Sequence, residues 1–270
     1  MKALISSLKR TLWFKASVAF FTCLLFLIFP SCQKDELSQG SIADMDGLSS
    51  SASSKKVKLT GKVKDVDGNW YKTVKIGDQW WMSENLRSTR YNDRTPIPLE
   101  TDGGNCGTEI PPDGMAWSFL TTPAYCWYDN NIINKNLHGA LYNWYVADPT
   151  NTKNVCPSGW HVPTDGDWTI LTDYLAANGH SGTEGTALKA VNGWILEGNG
   201  TDDYGFTALP SGARDLCGPF IHLGENGCWW SSTEISPLYS YCRYVSYYNG
   251  IVTKGSNERM VGFSVRCLKD

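Results

Sequence analysis

The sequence is poor in the residues that most often carry catalysis. Only four histidines occur in 270 residues, His138, His161, His180 and His222, and none stands at HExxH or another metal-binding spacing. No serine lies in a GxSxG elbow and no two cysteines form a CxxC pair. Zinc-protease, serine-hydrolase and zinc-finger chemistries therefore have no residues to stand on. His161, within GWHVPT, reads as a packed or hydrogen-bonded residue, and no carboxylate pair can be given glycosidase roles without its separation. A bilayer-spanning run is missing too, because the apolar stretch 16–30 is shorter than the about 20 residues a spanning helix needs.

That stretch has another use. Lys2, Lys9, Arg10 and Lys15 precede it, no acid does, and it stops at Ser31-Cys32 ahead of Gln33-Lys34-Asp35-Glu36. This is the order of a secretory signal. The small residue before Cys32 resembles a bacterial lipoprotein signal, in which the cysteine is acylated and becomes the new N-terminus. Each buried methylene of an acyl chain contributes about 0.8 kcal/mol, so several chains on Cys32 would hold the protein on a membrane without a spanning helix. Four of the 24 basic residues leave with the signal, which leaves 20 against 27 acids. A net charge near −7 argues against a nucleic-acid partner.

Three regions follow: a signal at 1–31, a lipid anchor and Ser-rich tether at 32–56 and one folded domain at 57–270. Of nine cysteines, Cys23 and Cys32 fall outside the domain, and seven remain. In an oxidising compartment that odd number predicts up to three disulfides and one free thiol.

Within the domain, Asp67-Gly68 and Gly77-Asp78 interrupt alternating apolar and polar residues, the pattern of an opening meander. Residues 87–123 are rich in Gly, Pro, Asp and Thr and predict long loops. In PTDGDWTILTDYLAANG, Thr164 caps with Asp167 three residues on. Trp168, Leu171 and Leu175 recur on one face, and Asn178-Gly179 ends the helix. A second helix is predicted over 138–147 from Leu141, Trp144 and Tyr145. Asn249-Gly250 predicts a type I′ turn, and VGFSVRCLKD a last strand. Strands at both ends with helices between them describe an α+β domain of short strands and hairpins, two main helices and long loops.

The blocks IGDQWWMSENL (76–86), CWYDNN (126–131), GALYNWYVA (139–147), CPSGWHVPTDGDW (156–168), GFTALPSGAR (205–214), CWWSST (228–233) and GFSVRC (262–267) resemble the Fibrobacter succinogenes major paralogous domain family. The resemblance implies an exported lipoprotein of Bacteroidetes type, expected on the outer membrane, without implying an activity. Lys34, Asp35 and Glu36 resemble an acidic export signal that follows the anchor cysteine in such proteins, which implies exposure at the cell surface. CPSGWHVPTDGDW is also similar to the helix-leading signature of the C-type lectin-like fold, whose cysteine pairs with one on the terminal strand. The resemblance thus implies a Cys156–Cys267 bridge, and closing so long a loop is nominally worth about 4 to 5 kcal/mol. Nearest-neighbour pairing would join Cys106 to Cys126 and Cys217 to Cys228, with Cys242 free.

Sugar-binding C-type lectins hold calcium with a Glu-Pro-Asn-like triplet and a later Trp-Asn-Asp, and neither occurs here. Asp129, Asn130 and Asn131, with Asn134 and Asn136, form an oxygen-rich cluster that suits a hard cation, although such runs also favour solvated turns. Formylglycine-generating enzymes share the fold and use a closely spaced cysteine pair before the last strand, where this chain has Cys242 alone. The expectation is therefore a lipid-anchored binding or structural module, not an enzyme, with no cofactor, and with a glycan or a surface protein as ligand.

The aromatic residues decide where a ligand would sit. Trp80, Trp81, Trp160, Trp168, Trp229 and Trp230 read as core. Trp194, Tyr204, Tyr239, Tyr244, Tyr247 and Tyr248, with Asp202, Asp203 and Arg243, read as the better exposed ligand-binding candidates. The anchor is tested first: wild type should incorporate labelled fatty acid and fractionate with membranes, and Cys32→Ser should do neither. A Cys32→Ser chain still on membranes, beside an unlabelled wild type, would refute the lipoprotein reading.

Overall fold

The computed structural model describes residues 58–104 and 116–270. The signal, Cys32, the tether and Cys106 lie outside the described residues.

Two five-stranded sheets carry the fold. The first contains β1 (Thr60–Lys64), β2 (Trp70–Ile76), β3 (Gln79–Met82), β6 (Trp160–His161) and β12 (Leu268–Lys269), in the order β1-β2-β3-β12-β6. The second contains β7 (Ser211–Arg214), β8 (Phe220–Leu223), β9 (Asn226–Glu234), β10 (Tyr239–Ser246) and β11 (Thr253–Glu258), in the order β11-β10-β9-β7-β8. A short pair, β4 (Tyr125–Cys126) with β5 (Leu141–Tyr142), stands beside them. The opening meander forms as predicted, with Gly77 at φ 59° in the two-residue turn that registers Ile76 against Gln79. Loops fill the described part of 87–123, apart from isolated bridges of Arg90 with Pro96 and of Leu99 with Tyr125 and a short helical turn, Trp117–Phe119.

The helix over Asp165–Leu175 is the longest among the described residues. Thr164 Oγ1 accepts from the Asp167 amide at 3.1 Å while Asp167 Oδ2 accepts from the Thr164 amide at 2.8 Å, a reciprocal cap. Trp168, Leu171 and Leu175 are buried, and the chain leaves through a wider turn, Ala176–His180, with Gly179 at φ 95°. Asp165, in the first helical turn, bonds Arg243 of β10 at 2.6 Å and Lys254 of β11 at 2.8 Å. Burial alone would raise the Asp165 pKa, but those two cations hold it below the ordinary carboxylate value.

The second predicted helix does not form. One helical turn, Lys135–His138, stops at Gly139, whose φ of 77° suits glycine. A Cβ there would stand 2.7 Å from the Asn85 Cβ and 2.8 Å from the Leu86 carbonyl. Leu141–Tyr142 then pairs with β4, and only Trp144–Ala147 is helical. The backbone partners are Ala140 N to Leu86 O and Tyr142 N to Phe263 O, so tertiary strand pairing overrides the local period. Trp144 is nonetheless buried, as its spacing implied.

The type I′ turn is also replaced. β10 and β11 do pair, but their register ends at Tyr244 opposite Thr253, which leaves a wide connection over 245–252. Gly250 O accepts from Thr186 N and Asn249 O from Lys189 Nζ, so the connection opens to seat on the short helix Glu184–Leu188 and the residue after it.

The predicted last strand is a buried thread that visits both sheets. Gly262 bridges Arg214, Phe263 bridges Tyr142, Ser264 bridges Trp229, and Leu268 lies between Trp81 and His161. Residues 261–268 are all buried. Five of the six core tryptophans are buried, and Trp80 is half-buried against the cluster that holds Trp160 and Trp230. Trp168 lies 4.8 Å from Trp81 and 6.2 Å from Trp229, which joins the helix to both sheets.

Cys156 is bonded to Cys267, as the lectin-like resemblance implied. Cys217 is disulfide-bonded, while Cys126, Cys228 and Cys242 are free and buried. The nearest-neighbour pairs Cys106 with Cys126 and Cys217 with Cys228 are therefore wrong: spacing along the chain did not place these sulfurs together. Burial pushes the Cys242 thiol up to about 12 and that of Cys228 up as well. Peptide mapping without reduction should recover Cys156 and Cys267 in one fragment, and Cys267→Ala should cost roughly 2 to 5 kcal/mol. At pH 8 native Cys242 should alkylate roughly 10³-fold more slowly than an open cysteine, and faster by about tenfold per pH unit. Rapid alkylation of the folded protein, or Cys156 recovered reduced, would contradict this assignment.

Candidate binding groove

Strand register brings together residues that sequence spacing keeps apart. Cys242 faces Trp230, and Tyr244 faces Cys228, so Cys228, Cys242 and Tyr244 share one face of β9 and β10. They line a groove of about 360 Å³ whose other walls are Val261 and Phe263 from the terminal thread, Asp215, His222 and Asn226 on one side and Gly255, Ser256 and Asn257 on the other. A Cβ at Gly255 would meet the Tyr244 ring at 3.0 Å and the Cys242 Sγ at 3.4 Å. The missing side chain leaves the tyrosine room beside the two thiols.

The β8–β9 turn continues the groove into a loop rim. His222 has φ 62° and its Nδ1 lies 2.8 Å from Glu225 Oε2. Glu225 O accepts from Tyr247 N at 2.9 Å, and Asn226 Oδ1 from Ser246 Oγ at 2.8 Å. Gly224 O accepts from Ile195 N at 3.0 Å, which brings in the loop after Trp194. There Leu196 and Glu197 are consecutive left-handed non-glycine residues, at φ 47° and 61°. Such conformations cost of order 1 to 3 kcal/mol each and persist only where the surroundings impose them. The surroundings are Gly198, whose α-carbon side packs on Tyr247, and the bond from Trp194 N to Asn199 Oδ1. Leu196 is 77 % exposed, and Tyr248 67 %.

Lys189 pins this rim from beneath. It is buried, donates to Ser246 O at 3.1 Å and Asn249 O at 2.9 Å, and lies 5.2 Å from the Trp194 ring. Burial lowers its pKa, and no carboxylate forms an ion pair with it among the described residues. Its stabilising contacts are therefore carbonyl oxygens and a ring face.

The nominated residues divide into four groups. Tyr244 stands in the groove, and Tyr247 and Tyr248 on its rim, 5.4 Å apart edge to face. Tyr239 lies at the opposite end of β10, its hydroxyl donating to Glu258 at 3.0 Å. Asp202, Asp203 and Tyr204 form a separate corner. Asp202 closes its own loop on Thr207, Asp203 approaches His180 at 3.9 Å, and Tyr204 packs edge to face on Tyr174 and His180. Trp194 and Arg243 correct the expectation of exposure, at 5 % and 3 %. Trp194 donates to Ala208 O beneath the rim, and Arg243 is committed to Asp165.

The sequence reading missed Asp215, His222, Glu225, Ser256, Asn257 and Leu196. Only the turn LGEN before Cys228 hinted at them, because the groove is made by pairing of strands distant in sequence. At the weak metal candidates, Asp129 and Asn130 have φ 53° and 52°, Asn130 donates to Thr101 O, and Asn131 caps Ile133 N. Among the described residues no three His, Cys, Asp or Glu side chains cluster as a metal site. His161 is hydrogen-bonded, with Nδ1 2.6 Å from Asp270, and lines a second cavity of about 290 Å³ with Asp148 and Lys153.

Residues 74–269 match the model of a family described as the Fibrobacter succinogenes major domain. No curated protein and no solved structure matches the chain.

Proposed function

We propose a recognition role from one premise: the chain belongs to the Fibrobacter succinogenes major domain family. It is a lipid-anchored binding module of the cell envelope, held on the outer membrane through Cys32 and exposed at the surface, with a C-type lectin-like fold. Support for the fold comes from β12, which lies between β3 of the opening meander and β6 before the long helix. The Cys156–Cys267 bridge ties that helix-leading segment to the terminal strand. Both features accord with the lectin-like pattern.

The observation that carries recognition is the groove itself. An aromatic ring, Tyr244, stands among the polar groups of Asp215, His222, Asn226, Ser256 and Asn257, in a concavity that continues into the rim of Tyr247 and Tyr248. Aromatic faces with convergent hydrogen-bonding groups suit the alternating apolar and hydroxyl surfaces of a sugar. Catalysis through Cys228 and Cys242 is disfavoured, since burial holds both thiols protonated. The exposed Leu196 favours a second reading, contact with a surface protein.

A glycan array probed with the purified protein, with and without calcium, should yield a binder. Tyr244→Ala should weaken it at least about tenfold, a loss near 1.4 kcal/mol. Tyr239→Phe should leave it unchanged. An array without a binder under either condition would refute the carbohydrate reading, and a binder indifferent to Tyr244 would move the site elsewhere.

A further inference from the structure

The β1–β2 hairpin gathers positive charge without neutralising it. In the register Lys62 stands directly opposite Lys72, and Lys64 opposite Trp70, all on the exposed side of the two strands. Like charges facing each other across a pair are destabilising, so this arrangement works against the hairpin that carries it. Among the described residues none of Lys62, Lys64 and Lys72 forms an ion pair. The nearby carboxylates are engaged elsewhere. Glu84 pairs with Arg87 at 3.0 Å and accepts from the Lys72 amide, Asp65 accepts from the Tyr71 hydroxyl at 2.6 Å, and Asp67 from the Thr89 amide at 2.6 Å. Lys58 adds a further cation, its Nζ bonded only to the Asp202 carbonyl, at 2.7 Å.

An apolar group accompanies the charge. Trp70 is 57 % exposed, with Lys64 Nζ 5.7 Å from its ring. An exposed Trp among lysines is the composition that settles at the boundary between headgroups and acyl chains. The remainder of the processed chain is acidic, so the cations of this face are not an average property of the surface. The hairpin is also the first described element after Cys32, 26 residues before Lys58.

We propose that the exposed face of the β1–β2 hairpin docks on an anionic phospholipid bilayer, with Lys62, Lys64 and Lys72 on phosphate groups and Trp70 at the interface. The proposal rests on the anchored reading, in which the chain from Cys32 enters the domain at this hairpin. Each lysine near an anionic surface strengthens association about fivefold, so three supply a contact that salt can reverse.

The full chain, purified from membranes in detergent, is reconstituted with vesicles of phosphatidylcholine alone or doped with phosphatidylglycerol. Flotation and amine acylation, read by mass spectrometry, are measured together. Acylation of Lys58, Lys62, Lys64 and Lys72 should slow at least about fivefold on anionic vesicles and recover in high salt, with Lys135 and Lys254 unaffected. In Lys62→Gln/Lys64→Gln/Lys72→Gln the protection of Lys58 should disappear. Flotation with both vesicles but equal acylation overturns the docking and leaves the anchor standing. Flotation only with anionic vesicles sinks the anchor and supports the docking, whereas no flotation removes both. Protection by a soluble acidic polysaccharide and none on vesicles would also overturn it.

Discussion

The side-chain amide of Asn85 reaches five residues in four other segments of the chain. Its Nδ2 lies 2.9 Å from His138 O, 3.0 Å from Ser211 Oγ and 3.1 Å from Ser264 Oγ, and its Oδ1 accepts from Trp229 Nε1 at 2.9 Å and Arg266 at 2.8 Å. Those partners belong to the turn that ends at Gly139, to β7, to β9 and to the terminal thread. Asn85 itself follows β3 and is buried. A buried polar group is tolerated only when its partners are present, so each of those segments is held to a position at which its bond to Asn85 can form. The two sheets are thereby fixed to each other through one polar cluster as well as through the ring contacts of Trp168.

Arg266 extends that cluster and shows how the fold accommodates a charge without a carboxylate. Its guanidinium bonds Phe206 O, Thr207 O and Asn85, and stacks 4.2 Å from the Phe206 ring centre. Burial pulls its pKa down to about 9, still above neutral, so the charge persists and is shared among oxygens and ring faces. Arg214 is treated alike, bonded to Glu100 O and Gly218 O and stacked over Trp117. Arg266 belongs to the thread that supplies Val261 and Phe263 to the groove, and Arg214 bridges it at Gly262. The frame and the groove thus share their supports, which is the arrangement a preorganised binding site needs.

Local chemistry was readable and long-range pairing was not. Thr164 and Asp167 announce their helix because a cap is made within four residues, and Gly77-Asp78 announces a turn for the same reason. Residues 138–147 carry a helical period, yet Leu141 and Tyr142 answer to strands more than a hundred residues away at Phe263 and across the short pair at Tyr125. Trp194 and Arg243 looked exposed because their neighbours are polar, while the carbonyl of Ala208 and the carboxylate of Asp165 that bury them are invisible locally. Cys156 with Cys267 came from resemblance, whereas the other pairings had only nearness in sequence and failed. Tyr244, Tyr247 and Tyr248 were found as aromatics, but nothing in their spacing revealed His222 or Asn257 as neighbours.

If one polar cluster holds the sheets together, they must lose stability together. Native-state hydrogen exchange on wild type and Asn85→Ala would compare amides of β2 with amides of β9 and β10. Removing the amide leaves Arg266, Trp229 and Ser264 with unmet partners, a loss of roughly 2 to 4 kcal/mol at one to three per orphaned group with partial relaxation. The account predicts that the slowest amides of both sheets fall by that same amount. A loss confined to one sheet, or none in either, would contradict it.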